Sequence, residues 1–210
     1  TLSMRLGLAA HAMILEPDTY RERFVTWDGT RRGKAWDAFA EEHASRTILT
    51  ETEFARVDGM FRAVRNSLPA HNHLHDGVAE RELYWRFGDR DCKGRADVVG
   101  KGLVELKTAI DVNPRWWPGI VANYGYHVQI AWYLDGLVEA GVLLAECESV
   151  AMIVVQSVAP FDVVVWNVTD EVIDIGRREY LRLLDKLTEC ERTNEWPGIS
   201  DDAELELTLP

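Results

Sequence analysis

The stretch Gly94-Arg95-Ala96-Asp97-Val98-Val99-Gly100-Lys101-Gly102-Leu103-Val104-Glu105-Leu106-Lys107-Thr108 constrains the fold more than any other part of the chain. Apolar, β-branched runs on either side of a Gly-Lys-Gly turn predict a hairpin, Gly94–Val99 against Leu103–Thr108. Residues two apart in a strand share a face, so Glu105 and Lys107 point the same way, and the partner strand can set Asp97 beside them. Two carboxylates and a lysine on one face of apolar strands are unfavourable to bury unpaired. A hard divalent cation between the carboxylates, with Lys107 near its bound water, would offset that penalty. The competing reading is a surface hairpin with a weak Glu–Lys ion pair, since Glu-x-Lys is a common triplet.

Helices and further strands surround this hairpin. Leu2–Leu15 reads as a moderately apolar helix ended by Pro17. Arg21–Lys34 reads as a basic loop. Thr50-Glu51-Thr52-Glu53 has the form of a capping box, opening a helix whose apolar positions Phe54, Val57, Phe61, Val64 and Leu68 recur until Pro69. His71–Gly77 reads as a polar loop; its alternating His71, His73 and His75 would ligate a transition metal only if the segment were extended. Ala79–Phe87 is expected to be a strand, with a polar turn at Gly88–Asp91. After a loop carrying Pro114 and Pro118, Ala122–Ala140 reads as one helix, Val150–Ser157 and Phe161–Asn167 as strands, and Asp170 to about Glu191 as a helix with an irregular tail. The order predicts an α/β fold: a central mixed β-sheet flanked by helices, one domain over residues 1–210. An opening at Thr1 rather than Met leaves room for a trimmed start.

Charge first argues against a nucleic-acid partner, but its distribution removes the objection. Residues 1–134 hold 18 acids and 18 bases, so the whole net charge of −12 falls on residues 135–210. An acidic last third serves solubility, and the balanced remainder leaves room for a local basic groove. Cys92, Cys147 and Cys190 are scattered, which disfavours a disulfide scaffold and rules out a four-cysteine iron–sulfur site. No apolar run approaches a bilayer span and the first residues do not read as a signal peptide, so a cytoplasmic location is expected.

Asp97 followed after eight residues by Glu105-Leu106-Lys107 resembles the signature of the PD-(D/E)XK nuclease superfamily. Gln129-Ile130-Ala131-Trp132-Tyr133 resembles the Q-x-x-x-Y helix of its RecB-like branch, and residues four apart lie on one helix face. Tyr126-His127-Val128-Gln129 with Tyr133-Leu134-Asp135-Gly136 is similar to the corresponding helix of RecE-type exonucleases. Gly7–Pro17, carrying His11, is similar to that family's first core helix, and Glu195-Trp196-Pro197-Gly198 to a tail segment. The chain departs from the family pattern at Glu105, where aspartate is frequent, and at Ala96, where proline is.

The resemblance implies roles. Asp97, Glu105, the Leu106 carbonyl and His11 would hold the metal, Mg²⁺ with Mn²⁺ as substitute. Lys107 would orient the attacking water and stabilise charge on the phosphate. Glu80 stands where the family places an additional acid, although Glu82 shares its strand face by parity. Gln129 and Tyr133 would contact substrate or brace the site, and Arg95, Arg31 and Arg32 would touch the DNA backbone. Trp116-Trp117 could serve as a stacking wedge or as packing. The implied activity is 5′→3′ digestion of linear double-stranded DNA to 3′ single-stranded tails for phage or prophage recombination. A homo-oligomeric ring and a RecT-like annealing protein would be its partners. Another RecB-like nuclease, single-strand exonuclease or structure-specific endonuclease, is the alternative; so is an inactive DNA-binding module, against which the joint retention of Asp97, Glu105 and Lys107 speaks.

Overall fold

A computed structural model of the chain describes residues 1–142 and 149–198. Fifteen elements alternate through it, and the central one is a five-stranded sheet. β3 (Val78–Phe87), β4 (Arg90–Val99), β5 (Leu103–Ala109), β6 (Val150–Gln156) and β7 (Val163–Asn167) lie side by side in that order. Pairing is antiparallel except between β5 and β6, so the sheet is mixed. β6 is apolar through Val150–Val155 and buried along that run, as expected of an inner strand covered on both faces.

Two helical layers cover the sheet. On one side α1 (Leu2–Leu15), α4 (Glu51–Asn66) and α5 (Leu68–Leu74) bury Leu6, Ala9, Val57, Met60 and Ala70 against Val98, Val104, Leu106 and Ile153. α1 crosses β5 closely: a Cβ on Gly7 would come within 3.4 Å of Thr108 Oγ1. On the other side α7 (Tyr126–Glu139) and α8 (Asp170–Thr193) bury Ile130, Leu134, Leu137 and Ile173 against Leu83, Trp85, Met152 and Val154. Asp135 ties these two helices, accepting from Arg177 Nη2 at 2.7 Å and from the Tyr180 hydroxyl at 2.7 Å. None of the helices in the described residues is long and apolar enough to cross a membrane.

Several boundaries differ from the sequence reading. The basic stretch Arg21–Lys34 is not one loop: α2 (Pro17–Arg23) runs into β1 (Phe24–Trp27), which pairs in parallel with β2 (Thr47–Thr50) across α3 (Lys34–Glu42). Stacking of Tyr20 on Phe24 at 5.0 Å, with a tilted contact of Trp27 and Phe39 at 4.7 Å, supplies the apolar side of this unit that charge counting hid. The Phe54–Leu68 helix ends at Asn66, and α5 restarts with Ser67 as cap and Pro69 in its first turn. His71 and His73 therefore lie on a helix, with the His71 and His75 rings 5.1 Å apart, rather than in a loop.

The helix expected over Ala122–Ala140 is two. α6 (Trp117–Tyr124) stops at Gly125, whose φ of +67° is left-handed, and α7 restarts at once. The β3–β4 hairpin is longer than expected, beginning pairing at Phe87↔Arg90. β7 begins at Val163 because Phe161, at φ +63°, turns away to pack on Gly59. Cys147 and residues 199–210 lie outside the described residues.

Candidate active site

The site is made by a ladder that stops. β4 and β5 pair only at Val98↔Val104 and Val99↔Leu103, next to the turn where Gly100 N–H bonds Gly102 O at 3.0 Å. Beyond those pairs the strands part. The freed amide of Leu106 is taken by a side chain: it donates to Asp97 Oδ2 at 2.7 Å. Asp97 thus replaces a missing backbone acceptor and is fixed in the gap between the strands.

Glu105 follows on β5, fully buried, with 0% of its surface exposed. Lys107 Nζ donates to Glu105 Oε2 at 3.0 Å and to Gln129 Oε1 of α7 at 3.1 Å. The Tyr126 ring lies over Lys107 Nζ, 4.9 Å from its centroid. Burial, and then the nearby Asp97 charge, push the Glu105 carboxyl up to about 7. Burial pulls the Lys107 ammonium down, but the Glu105 and Asp97 charges outweigh it and hold it above its usual value.

From the opposite side α1 brings His11, with Nδ1 3.7 Å from Asp97 Oδ1. Burial lowers its pKa, which favours the neutral ring that can ligate a cation. Glu80 arrives from β3 in a left-handed conformation, φ +51°. One ligand atom each from His11, Glu80 and Asp97 lies within 4.8 Å of the others. Burial raises the Glu80 pKa, an effect that Arg95 opposes.

The expected site residues take the following positions. Parity left Glu80 and Glu82 equivalent; the structure brings Glu80 to His11 and Asp97, while Glu82 stays exposed and accepts from the Tyr84 hydroxyl at 3.4 Å. His11, Glu80 and Asp97 form the tight group, and Glu105, expected with His11 and Asp97 as a ligand, stands behind it on Lys107. Leu106 serves the site through its backbone amide on Asp97. Tyr133 rests over Gly94 of β4, so it braces the strand that carries Asp97.

The basic residues are more committed than the sequence implied. Arg95 Nε sits 2.7 Å from Glu80 Oε2, and Arg31 bonds the Ile48 carbonyl at 2.8 Å and Glu53 at 3.3 Å. Arg32 is exposed. Trp117 is no wedge: it is 2% exposed and its indole N–H meets Met152 sulfur at 3.4 Å, while Trp116 is exposed under Arg115. Tyr126 was missed as a site residue; the Gly125 that re-aims it was the available signal.

The donors fit a hard divalent cation. Glu105 Oε1 is buried and has no hydrogen-bond partner, and its carboxyl lies close enough to Asp97 and Glu80 to feel both charges, behind the His11, Glu80 and Asp97 group and beside Lys107. A buried, unpartnered carboxylate oxygen beside two other acids is the mark of a group shaped for a positive charge.

The sequence matches, over residues 1–207, the model of the family described as "PDDEXK-like domain of unknown function (DUF3799)". No curated protein matches it. A crystal structure of a protein named "Putative exonuclease", from Eubacterium rectale, has the same fold with a TM-score of 0.62 at 12% identity, covering 98% of this chain and 77% of that one.

Proposed function

The chain belongs to the PDDEXK-like family DUF3799, and from that premise we propose that it is a divalent-metal-dependent DNA exonuclease of the RecE type. Glu105 carries the proposal: a fully buried carboxylate with one oxygen unpartnered and the other on Lys107 has no structural purpose in an apolar sheet. The exonuclease name of the Eubacterium rectale neighbour supports the same direction.

Asp97, Glu80, His11 and Glu105 would hold the cation, Mg²⁺ with Mn²⁺ as substitute. A bound divalent ion supplies charge neutralisation at phosphorus and a more acidic water. The protein does the rest. Asp97 is locked by the Leu106 amide, so its second oxygen is held towards His11. Lys107, steered by Gln129 and Glu105, presents a fixed ammonium to the water and to the phosphoryl oxygens as their charge grows. Arg95 neutralises Glu80, which lessens repulsion of an incoming phosphodiester.

The substrate is linear double-stranded DNA, digested 5′→3′ to leave 3′ single-stranded tails for recombination. A homo-oligomeric ring around the duplex and a RecT-like annealing protein complete the proposal. The test is linear duplex labelled at the 5′ or the 3′ end, with Mg²⁺ or EDTA. Early Mg²⁺-dependent release of 5′ label is expected. Cleavage of circular DNA, or early release of 3′ label, would move the enzyme to another branch of RecB-like nucleases.

A further inference from the structure

Lys107 does not end at Tyr126. The Tyr126 ring that covers its ammonium is stacked in turn on Tyr124, with centroids 5.7 Å apart and planes 17° from parallel. The two tyrosines are neighbours because Gly125 between them adopts the left-handed φ of +67° that closes α6 and opens α7. Residues i and i+2 of an unbroken helix point in divergent directions and could not stack. Tyr124 is 72% exposed, although a tyrosine is among the side chains that burial favours. The structure thus runs from a buried ammonium through a covering ring to an open aromatic surface.

We propose that Tyr124 is a stacking platform for the nucleobase adjoining the phosphodiester that Lys107 faces. The inference rests on the nuclease reading and adds to it a way of holding the strand. A base is flat and has a π-face whatever its identity, so a ring at this place grips without choosing sequence. A backbone held by several cations would slide at random, whereas a stacked base sets the next phosphate in register with the site. Arg95 and Arg31 are tied to Glu80 and Glu53, which leaves a π-contact to share that work.

The test uses the full chain with Tyr124→Ala and Tyr124→Phe, on linear duplexes carrying 2-aminopurine or an abasic residue at the terminal nucleotide. Binding is read by anisotropy and stacking by 2-aminopurine quenching, with Ca²⁺ replacing Mg²⁺ to slow cleavage. Wild type and Tyr124→Phe are expected to quench. Tyr124→Ala is expected to lose the quench and bind about tenfold more weakly, the order of one base–aromatic stack. The abasic duplex is expected to bind wild type as weakly as Tyr124→Ala does, with no further loss in the variant. Equal quenching and binding by Tyr124→Ala, with wild type cleaving ordinary duplex in Mg²⁺, would overturn the platform and leave the nuclease reading standing. A change confined to the oligomeric state would also overturn it, making Tyr124 a subunit contact. Failure of wild type to cleave any nucleic acid would instead refute the nuclease reading, and the platform with it.

Discussion

Glu105 concentrates the opposition between stability and function into one side chain. Its folded pKa, about 7, lies above that of an unfolded glutamate. The carboxyl therefore holds its proton more tightly in the fold than in the unfolded chain. The metal-free protein keeps this contribution fully below about pH 4.5 and loses it as pH rises to about 7. Glu105→Gln, which fixes the neutral form, is expected to stabilise the metal-free protein at pH 8, on the order of 2 kcal/mol, and to have no such effect at pH 4. The same variant should lose metal-dependent cleavage and metal-induced stabilisation. Thermal unfolding with and without Mn²⁺ at both pH values checks this; a destabilised apo variant at pH 8 would contradict it. Lys107→Ala should keep the metal-induced stabilisation while losing about 10²–10³-fold in cleavage rate, the scale of one transition-state donor.

Some of these residues could be read from sequence and others could not. Asp97, Glu105 and Lys107 were legible because hairpin pairing and period-two alternation are local rules. His11 had no local signature; only resemblance singled it out, since its partner Asp97 is 86 residues away in sequence. Glu80 and Glu82 were indistinguishable by parity, and only the left-handed backbone at Glu80 separates them. Arg95 and Arg31 looked free because ion pairing with Glu80 and Glu53 is a tertiary fact.

At the scale of elements, two polar joints hold the helices that present the site. The first is the start of α4, where Thr50 accepts from the Glu53 amide at 3.1 Å and Glu53 accepts from the Thr50 amide at 2.8 Å. Glu53 also pairs with Arg5 of α1, so the cap fixes the helix that carries His11. Thr50→Ala should destabilise by about 1 kcal/mol. Burial alone would raise the Glu53 pKa, but the Arg5 hydrogen bond and the Thr50 amide hold it below its usual value. Its contribution is thus present above the ordinary glutamate range and is lost as pH falls through the depressed value. Glu53→Gln should lower Tm at pH 7 and cease to matter in acid.

The second joint is Asp135, which binds α7 to Arg177 and Tyr180 of α8. α7 presents Tyr126, Gln129 and Tyr133, so Asp135→Asn is expected to lower Tm and cleavage together, whereas Lys107→Ala lowers cleavage with its fold intact. Circular dichroism melting beside the rate assay separates the two. The capping box was legible as a four-residue pattern. The α6–α7 break was not, because apolar residues continue through Gly125 and periodicity alone does not report a left-handed turn.

The whole molecule sets a β-sheet between two helical layers and opens it at one place. That order was readable from the succession of strands and helices, apart from the β1–α3–β2 unit, whose short strands lie among charged residues. The parting of β4 from β5 after two residue pairs was not readable, because the sequence of both strands reads as one regular hairpin. That opening gathers His11, Glu80 and Asp97 beside Glu105 and Lys107, the arrangement on which the metal proposal rests. Because a proton and a cation compete for Glu105, Mn²⁺ affinity should rise with pH up to about 7 and level off above it, as calorimetric titration would show.

The central claim is that this opening is a metal-dependent phosphodiesterase site. The most direct measurement takes wild type, Glu105→Gln and Lys107→Ala from matched preparations and follows hydrolysis of linear duplex DNA with Mg²⁺, Mn²⁺ or EDTA, beside Mn²⁺ binding by calorimetry. The account predicts cleavage by wild type only with metal, loss of both binding and cleavage in Glu105→Gln, and loss of cleavage with binding retained in Lys107→Ala. Cleavage that persists in EDTA or survives in Lys107→Ala, or wild-type protein that neither binds Mn²⁺ nor cleaves, would contradict it.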